Sequence, residues 1–190
     1  MDNKNLVPLL GLEIERQCAF ALLSWEDLEG AKSSRELHRA NRVWLSIHSL
    51  LVAVANISKV LWPTKKRHEA RGRVLRHHFG IRNNSALKCT AFRNCFEHYD
   101  ERLEDWLQWG YGVVVDGNLG PPPEFVDRFG NPLPKICLRQ FDPETSTVFF
   151  RGDRIELNPV IEAVRLLQHT LTERGVTPSE EDSRASSRDA

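Results

Sequence analysis

The sequence predicts a mainly α protein, an antiparallel four- to five-helix bundle carrying a small C-terminal β-hairpin appendage. Three observations lead there. Apolar residues recur at three- and four-residue spacing through most of the first 110 positions. A Gly- and Pro-rich stretch at 110–134 then excludes long regular elements. Two short β-branched and aromatic runs follow it, with one more helical stripe beyond. This divides the chain into a bundle at 10–110, a loop and hairpin at 111–157, a helix at 158–175 that packs back on the bundle, and a disordered tail at 176–190.

The first helix is expected over Leu12–Lys32, where Leu12, Cys18 or Ala19, Leu22, Leu23 and Leu28 alternate with charged residues. Ser34 is placed to cap a second helix from Arg35 to Leu61, ended by Pro63 because a proline disfavours α geometry at the residue before it. Its Val43–Val60 stretch is the most apolar in the chain. Ser46, His48, Ser49, Asn56, Ser58 and Lys59 interrupt it, so it reads as the buried spine of the bundle rather than a bilayer span. Arg67–Phe79 is a shorter basic helix closed by Gly80, and Asn83-Asn84-Ser85 offers caps for a helix over Ala86–Trp109.

Beyond the Gly/Pro stretch, with room for a short Val113–Val115 strand, Ile136–Phe141 and Thr147–Arg151 flank Asp142-Pro143-Glu144 as the two arms of a hairpin. Asn158-Pro159 starts the last helix, whose apolar stripe is Ile161, Val164, Leu167 or Gln168, and Leu171. The tail is Ser-, Glu-, Asp- and Arg-rich and has no apolar periodicity.

Composition narrows the function classes. With 41% hydrophobic and 27% charged residues, the chain is an ordinary globular sequence. Its 26 Lys and Arg balance 26 Asp and Glu, so any attraction to nucleic acid has to be local. A local patch exists at Lys65, Lys66, Arg67, Arg71 and Arg73, continued by Arg76, His77 and His78. It reads either as an RNA-binding surface or as a solvated basic helix face. The four cysteines form no C-x-x-C pair, which argues against a zinc ribbon and against a secreted disulfide framework. His68, His77, His78, Cys89 and Cys95 match no zinc-ligand spacing, so neither metal nor cofactor is expected. The N-terminal residues lack the order of a signal peptide, which predicts a cytoplasmic protein without a membrane partner. His48 is expected as a hydrogen-bonded core or seam residue rather than a ligand, and the tryptophans in core packing rather than a base-stacking platform.

The chemistry-bearing residues gather within Arg93–Trp106. At about 100° per residue, Phe92, Cys95, Phe96, Tyr99, Leu103, Trp106 and Leu107 fall on one side of a helix, and Arg93, Asn94, Glu97, His98, Glu101 and Asp105 on the other. Asn94 and His98 stand one turn apart, as do Arg93 with Glu97 and Glu97 with Glu101. A guanidinium, an amide, an imidazole and carboxylates thus share one face. The ordinary alternative is a solvated face held by a pair such as Arg93 with Glu97, worth only about 0.3–0.5 kcal/mol.

The order Arg93-Asn94-Cys95-Phe96-Glu97-His98 resembles the R-x4-6-H motif of the HEPN domain superfamily, in which a polar residue commonly follows the arginine. The likeness covers about residues 10–110 in architecture but only some ten residues in specific sequence. It implies a metal-independent endoribonuclease, a nuclease and hydrolase of the kind found in toxin–antitoxin and phage-defence systems. In-line attack by a ribose 2′-hydroxyl needs a base, an acid for the departing 5′-oxygen, and a cation for the charge gathering on the phosphate. The resemblance gives His98 the proton-transfer role, Arg93 the cation and Asn94 the orienting hydrogen bond, with Glu97 and Glu101 in support. One motif histidine per chain implies a homodimer that brings two motifs together, with RNA or a nucleotide as ligand and an antitoxin or regulatory protein as a further partner. The sequence departs from the HEPN toxins whose tyrosine is modified. That position, two residues after the histidine, is Asp100 here, so the modification does not carry over. A non-catalytic HEPN-like module binding a nucleotide or a protein is the alternative.

Overall fold

The strongest apolar periodicities form an antiparallel helix pair, α1 (Leu6–Ser33) and α2 (Arg39–Leu61), in a computed structural model that describes residues 6–88, 99–108, 116–122, 124–131, 137–151 and 153–176. Ile14, Cys18, Ala21 and Leu28 line the buried face of α1, and Val43, Ile47, Leu50, Val54, Ile57 and Leu61 that of α2. Between the two helices Asn56 donates to Gln17 Oε1 at 3.2 Å, satisfying a buried amide that would otherwise cost about 1–3 kcal/mol. The stripe expected for α1 is shifted: Leu12 and Leu23 are exposed, because Ile14, Cys18 and Ala21 set the phase of the helix.

Helix α2 begins four residues later than expected. Ser34 Oγ accepts from the Glu36 amide at 3.2 Å, closing a local turn instead of capping the helix, and no side chain caps α2 at His38. By length and composition α2 could cross a membrane, yet 56% of its apolar window is buried in this fold. It stops at Trp62, ahead of Pro63. A 3-10 turn at Lys66–His68 leads into α3 (Glu69–His78). That helix ends in a Schellman motif: Gly80 takes φ +64°, its amide donates to His77 O, and the Ile81 amide donates to Arg76 O. The helix expected to begin at Ala86 from the caps before it does not begin there. Ser85 holds a turn there, accepting from the Leu87 amide at its hydroxyl and from the Lys88 amide at its carbonyl. Helix α4 is described over Tyr99–Leu107. Val113–Val115 lies outside the described residues.

The hairpin is part of a larger, four-stranded mixed sheet. Strands β2 (Arg139–Asp142) and β3 (Thr147–Phe150) pair antiparallel, Phe141 opposite Val148. β4 (Asp153–Glu156) adds antiparallel to β3, and β1 (Asn118–Leu119) adds parallel to β2. In the β2–β3 turn the Asp142 carboxylate accepts from the Glu144 amide at 3.1 Å and from the Thr145 hydroxyl at 2.7 Å. Helix α5 (Leu157–Glu173) follows directly on β4, and the Leu157 amide donates to Ser146 O.

Two apolar clusters make the core. Around the sheet, Phe141, Val148 and Phe150 pack with Leu28, Val43, Ile47, Leu50, Trp106, Leu157 and Ile161. Phe150 is buried there and Phe149 half-buried, as strand alternation requires. At the other end Ile14, Val54, Leu61, Leu75, Phe79, Leu87, Val164 and Leu171 gather. Val176, the first residue of the expected tail, packs on that cluster, and 177–190 lie outside the described residues.

Candidate nucleic-acid interface

Arg93, Asn94, Glu97 and His98, the residues that carry the motif, lie outside the described residues. What is described is the helix they lead into. In α4, Trp106 is buried and Leu103 half-buried against the sheet-side cluster, while Asp100, Glu101, Glu104 and Asp105 are exposed. Glu101, expected as a supporting carboxylate, is therefore on the solvent side of α4. Asp105 reaches Arg151 Nη1 at 3.7 Å, linking α4 to the turn after β3.

The basic patch is fully described, and its members divide into two sets. Arg73 pairs with Glu69 at 2.8 Å, one turn away. Arg76 donates to the Leu61 carbonyl at the end of α2 and lies 5.5 Å over the Trp62 ring. A cation there satisfies an orphan carbonyl at the negative end of a helix dipole, so Arg76 fastens α3 to α2. Lys65, Lys66, Arg67 and Arg71 have no carboxylate within ion-pair distance among the described residues. Lys65, Lys66 and Arg67 are exposed, and Arg71 is half-buried.

His68 sits among these cations. Desolvation first, then the charges of Arg67, Arg71 and Lys65, hold its pKa below the ordinary value. A neutral imidazole can accept, and Arg67 Nε donates to His68 Nε2 at 3.1 Å. Of the five residues expected to bind RNA, Arg73 is engaged by its own helix, and the other four pair with no carboxylate among the described residues.

A second polar constellation has no motif in the sequence. Arg139 on β2 makes a bidentate pair with Asp116, 2.7 and 2.5 Å, and its guanidinium lies 5.7 Å over the Trp44 ring. Trp44 Nε1 donates to Gly117 O at 2.7 Å, and Trp44 meets His48 edge-on at 6.2 Å. Burial and then Arg139 lower the His48 pKa, with Asp116 opposing them. This seam joins α2 to the sheet. His48 is thus placed at a seam, one of the two positions expected for it; Trp44 stands one turn away, whereas Arg139 and Asp116 lie far off in sequence, beyond the reach of spacing arguments.

Among the described residues no three His, Cys, Asp or Glu side chains cluster as a metal site would require. Burial, with a smaller push from Glu15, raises the Cys18 thiol to about 12, and burial also raises Cys137. Neither is an activated nucleophile. Comparison with protein-family models, with curated proteins and with solved structures returns no match.

Proposed function

We propose that the protein is a HEPN-like, metal-independent endoribonuclease acting on single-stranded RNA in the cytoplasm, in a defence or stress response, as a homodimer. The observation that carries the RNA reading is the set of four cations, Lys65, Lys66, Arg67 and Arg71, that no carboxylate neutralises among the described residues. The catalytic reading is supported by the Arg93-Asn94-x-x-Glu97-His98 order in the residues leading into α4. In this scheme the bundle is of the HEPN type. Arg93 stabilises charge on the scissile phosphate, His98 transfers a proton, and the second copy supplies the other proton-transfer group.

The experiment is RNA cleavage in EDTA by wild type, Arg93→Ala and His98→Ala, each shown to be folded. Loss of cleavage in both variants, with a 2′,3′-cyclic phosphate product from wild type, is the expected result. A Lys66→Ala/Arg67→Ala/Arg71→Ala variant should bind single-stranded RNA with a salt slope shallower by about 2, at about 0.7 for each phosphate it no longer neutralises. Cleavage surviving both motif substitutions would place the site elsewhere.

The exposed acids of α4 favour a second reading. Asp100, Glu101, Glu104 and Asp105 follow directly on the motif and repel a phosphate backbone. A non-catalytic module that binds a nucleotide or a regulatory protein accommodates them. Wild-type inactivity across varied RNAs would decide for it.

A further inference from the structure

The open side of α1 carries apolar residues that its own fold leaves uncovered: Leu9 at 64%, Leu12 at 48%, Phe20 at 49% and Leu23 at 58% exposure. With Arg16 they occupy about 80° of the helix surface at 100° per residue, so they form one stripe. The spacing of that stripe is symmetric about Arg16. Leu12 and Phe20 stand four residues to either side, and Leu9 and Leu23 seven.

We infer that this stripe is a self-association surface, on which α1 of a second copy packs antiparallel with the two-fold axis at Arg16. In that register Leu9 of each copy meets Leu23 of the other, and Leu12 meets Phe20. Every exposed apolar residue of the stripe finds an apolar partner, which an isologous two-fold interface demands of one surface. Charge agrees. Arg16 pairs with Glu13 of its own helix at 3.2 Å, with Arg16 exposed and Glu13 half-buried. At the axis two guanidiniums are therefore flanked by two Glu13 carboxylates, and the apolar run ends at exposed Asp27.

Size agrees as well. Four side chains contributing about 100 Å² each, with Arg16, Glu13 and the borders, come to about 600–800 Å² per copy, the lower edge of a stable interface. The open side of α2 extends the border: Leu45, 67% exposed, lines a cleft of about 570 Å³ together with Asp27 and Gly30. The ribonuclease reading asks for a homodimer that joins two motifs; the α1 pairing is argued from this face alone, goes beyond that reading and stands whether or not the chain cleaves RNA.

Sedimentation of the full chain tests it. The wild type should be a dimer, and Leu12→Glu and Phe20→Glu should each be monomers with unchanged helical circular dichroism. A monomeric wild type at every concentration, or a dimer that survives both substitutions, overturns the proposal. Disulfide trapping tests the register, since only a residue on the axis can bond to itself within the narrow Cα separation a disulfide allows. Arg16→Cys should cross-link above the wild-type background of native cysteines. Leu9→Cys and Leu23→Cys should cross-link in a mixture and not singly. Self-linking of Leu9→Cys and Leu23→Cys without linking in the mixture would show a parallel pair and overturn the antiparallel arrangement.

Discussion

Gly72 is where α3 passes closest to the end of α2, and replacing it with alanine should loosen the join. A Cβ at that position would stand 2.6 Å from Pro63 Cδ and 2.7 Å from the Leu61 carbonyl oxygen. Neither atom can move aside easily: one belongs to a ring closed on the backbone, and the other is the backbone acceptor that Arg76 already uses. Helix α3 must shift outward instead. Overpacking of this kind costs about 1–3 kcal/mol. The better helix propensity of alanine returns up to about 1 kcal/mol. The net expectation is a loss of up to about 2 kcal/mol, and at 2–4 °C per kcal/mol for a chain of this size Tm should fall by up to about 8 °C.

The same substitution at Gly30 supplies the control. Gly30 lies in α1, and a Cβ there meets nothing within 4 Å. Gly30→Ala should therefore stabilise by about 0.5–1 kcal/mol, through propensity and reduced freedom of the unfolded chain. Thermal unfolding followed by circular dichroism reads both, and the two changes should have opposite signs. If Gly72→Ala exceeded the wild type in Tm, as Gly30→Ala should, the close approach of α3 to Pro63 and Leu61 would not hold. Because Gly72 lies between Arg71 and Arg73, its replacement should also weaken RNA binding by displacing the cationic patch.

Two further outcomes follow from the seam and from the C-terminal cap. His48 has a folded-state pKa below its unfolded value of about 6.5, so the unfolded chain binds the proton more readily. Stability should fall as pH drops below about 6.5 and level off beneath the folded value; the Tm difference between pH 7.5 and pH 5.5 should shrink in His48→Gln, and an unchanged difference would contradict the seam. Truncation after Val176 should leave Tm unchanged, whereas truncation after Gly175 should lower stability by about 1 kcal/mol, because Val176 completes the cap of α5 and lies against Gly11 and Phe79. Equal Tm values for the two truncations would show that Val176 contributes nothing.

Helices were legible where one residue type or one period decides the local outcome. Pro63 sets the end of α2 and Gly80 that of α3, and the stripe of Ile161, Val164, Leu167 and Leu171 is the buried face of α5. Starts were less legible. Ser34 and Ser85 are both good caps by residue type, yet each closes a turn of its own, since a short hydroxyl side chain satisfies whichever amide comes first. The outer strands escaped for a related reason. β1 is two residues long, and β4 is charged at Asp153, Arg154 and Glu156 with only Ile155 apolar, so neither gives an apolar period to read, and both exist because β2 and β3 present edges for them to pair with.

The sequence predicts a hairpin appended to the bundle, and what it does not convey is how deep the side chains of the sheet reach. Phe141 and Phe150 are fully buried against α1, α2 and α5, so the sheet closes one end of the helical core. Periodicity tells which face of a strand is apolar but not what will cover it. The same limit governs the site. Clustering in sequence identified Lys65, Lys66, Arg67, Arg71 and Arg73 as one patch, and only coordinates separate Arg73, held by Glu69, from the four without a carboxylate. The seam of Trp44, His48, Asp116 and Arg139 draws on positions more than seventy residues apart in places, and no spacing rule spans that distance. Its consequence is mechanical. Trp44 and Arg139 tie α2 to β1 and β2, and Asp105 with Arg151 ties α4 to the turn after β3. Helix α4 is thereby linked to the same sheet as the spine of the bundle.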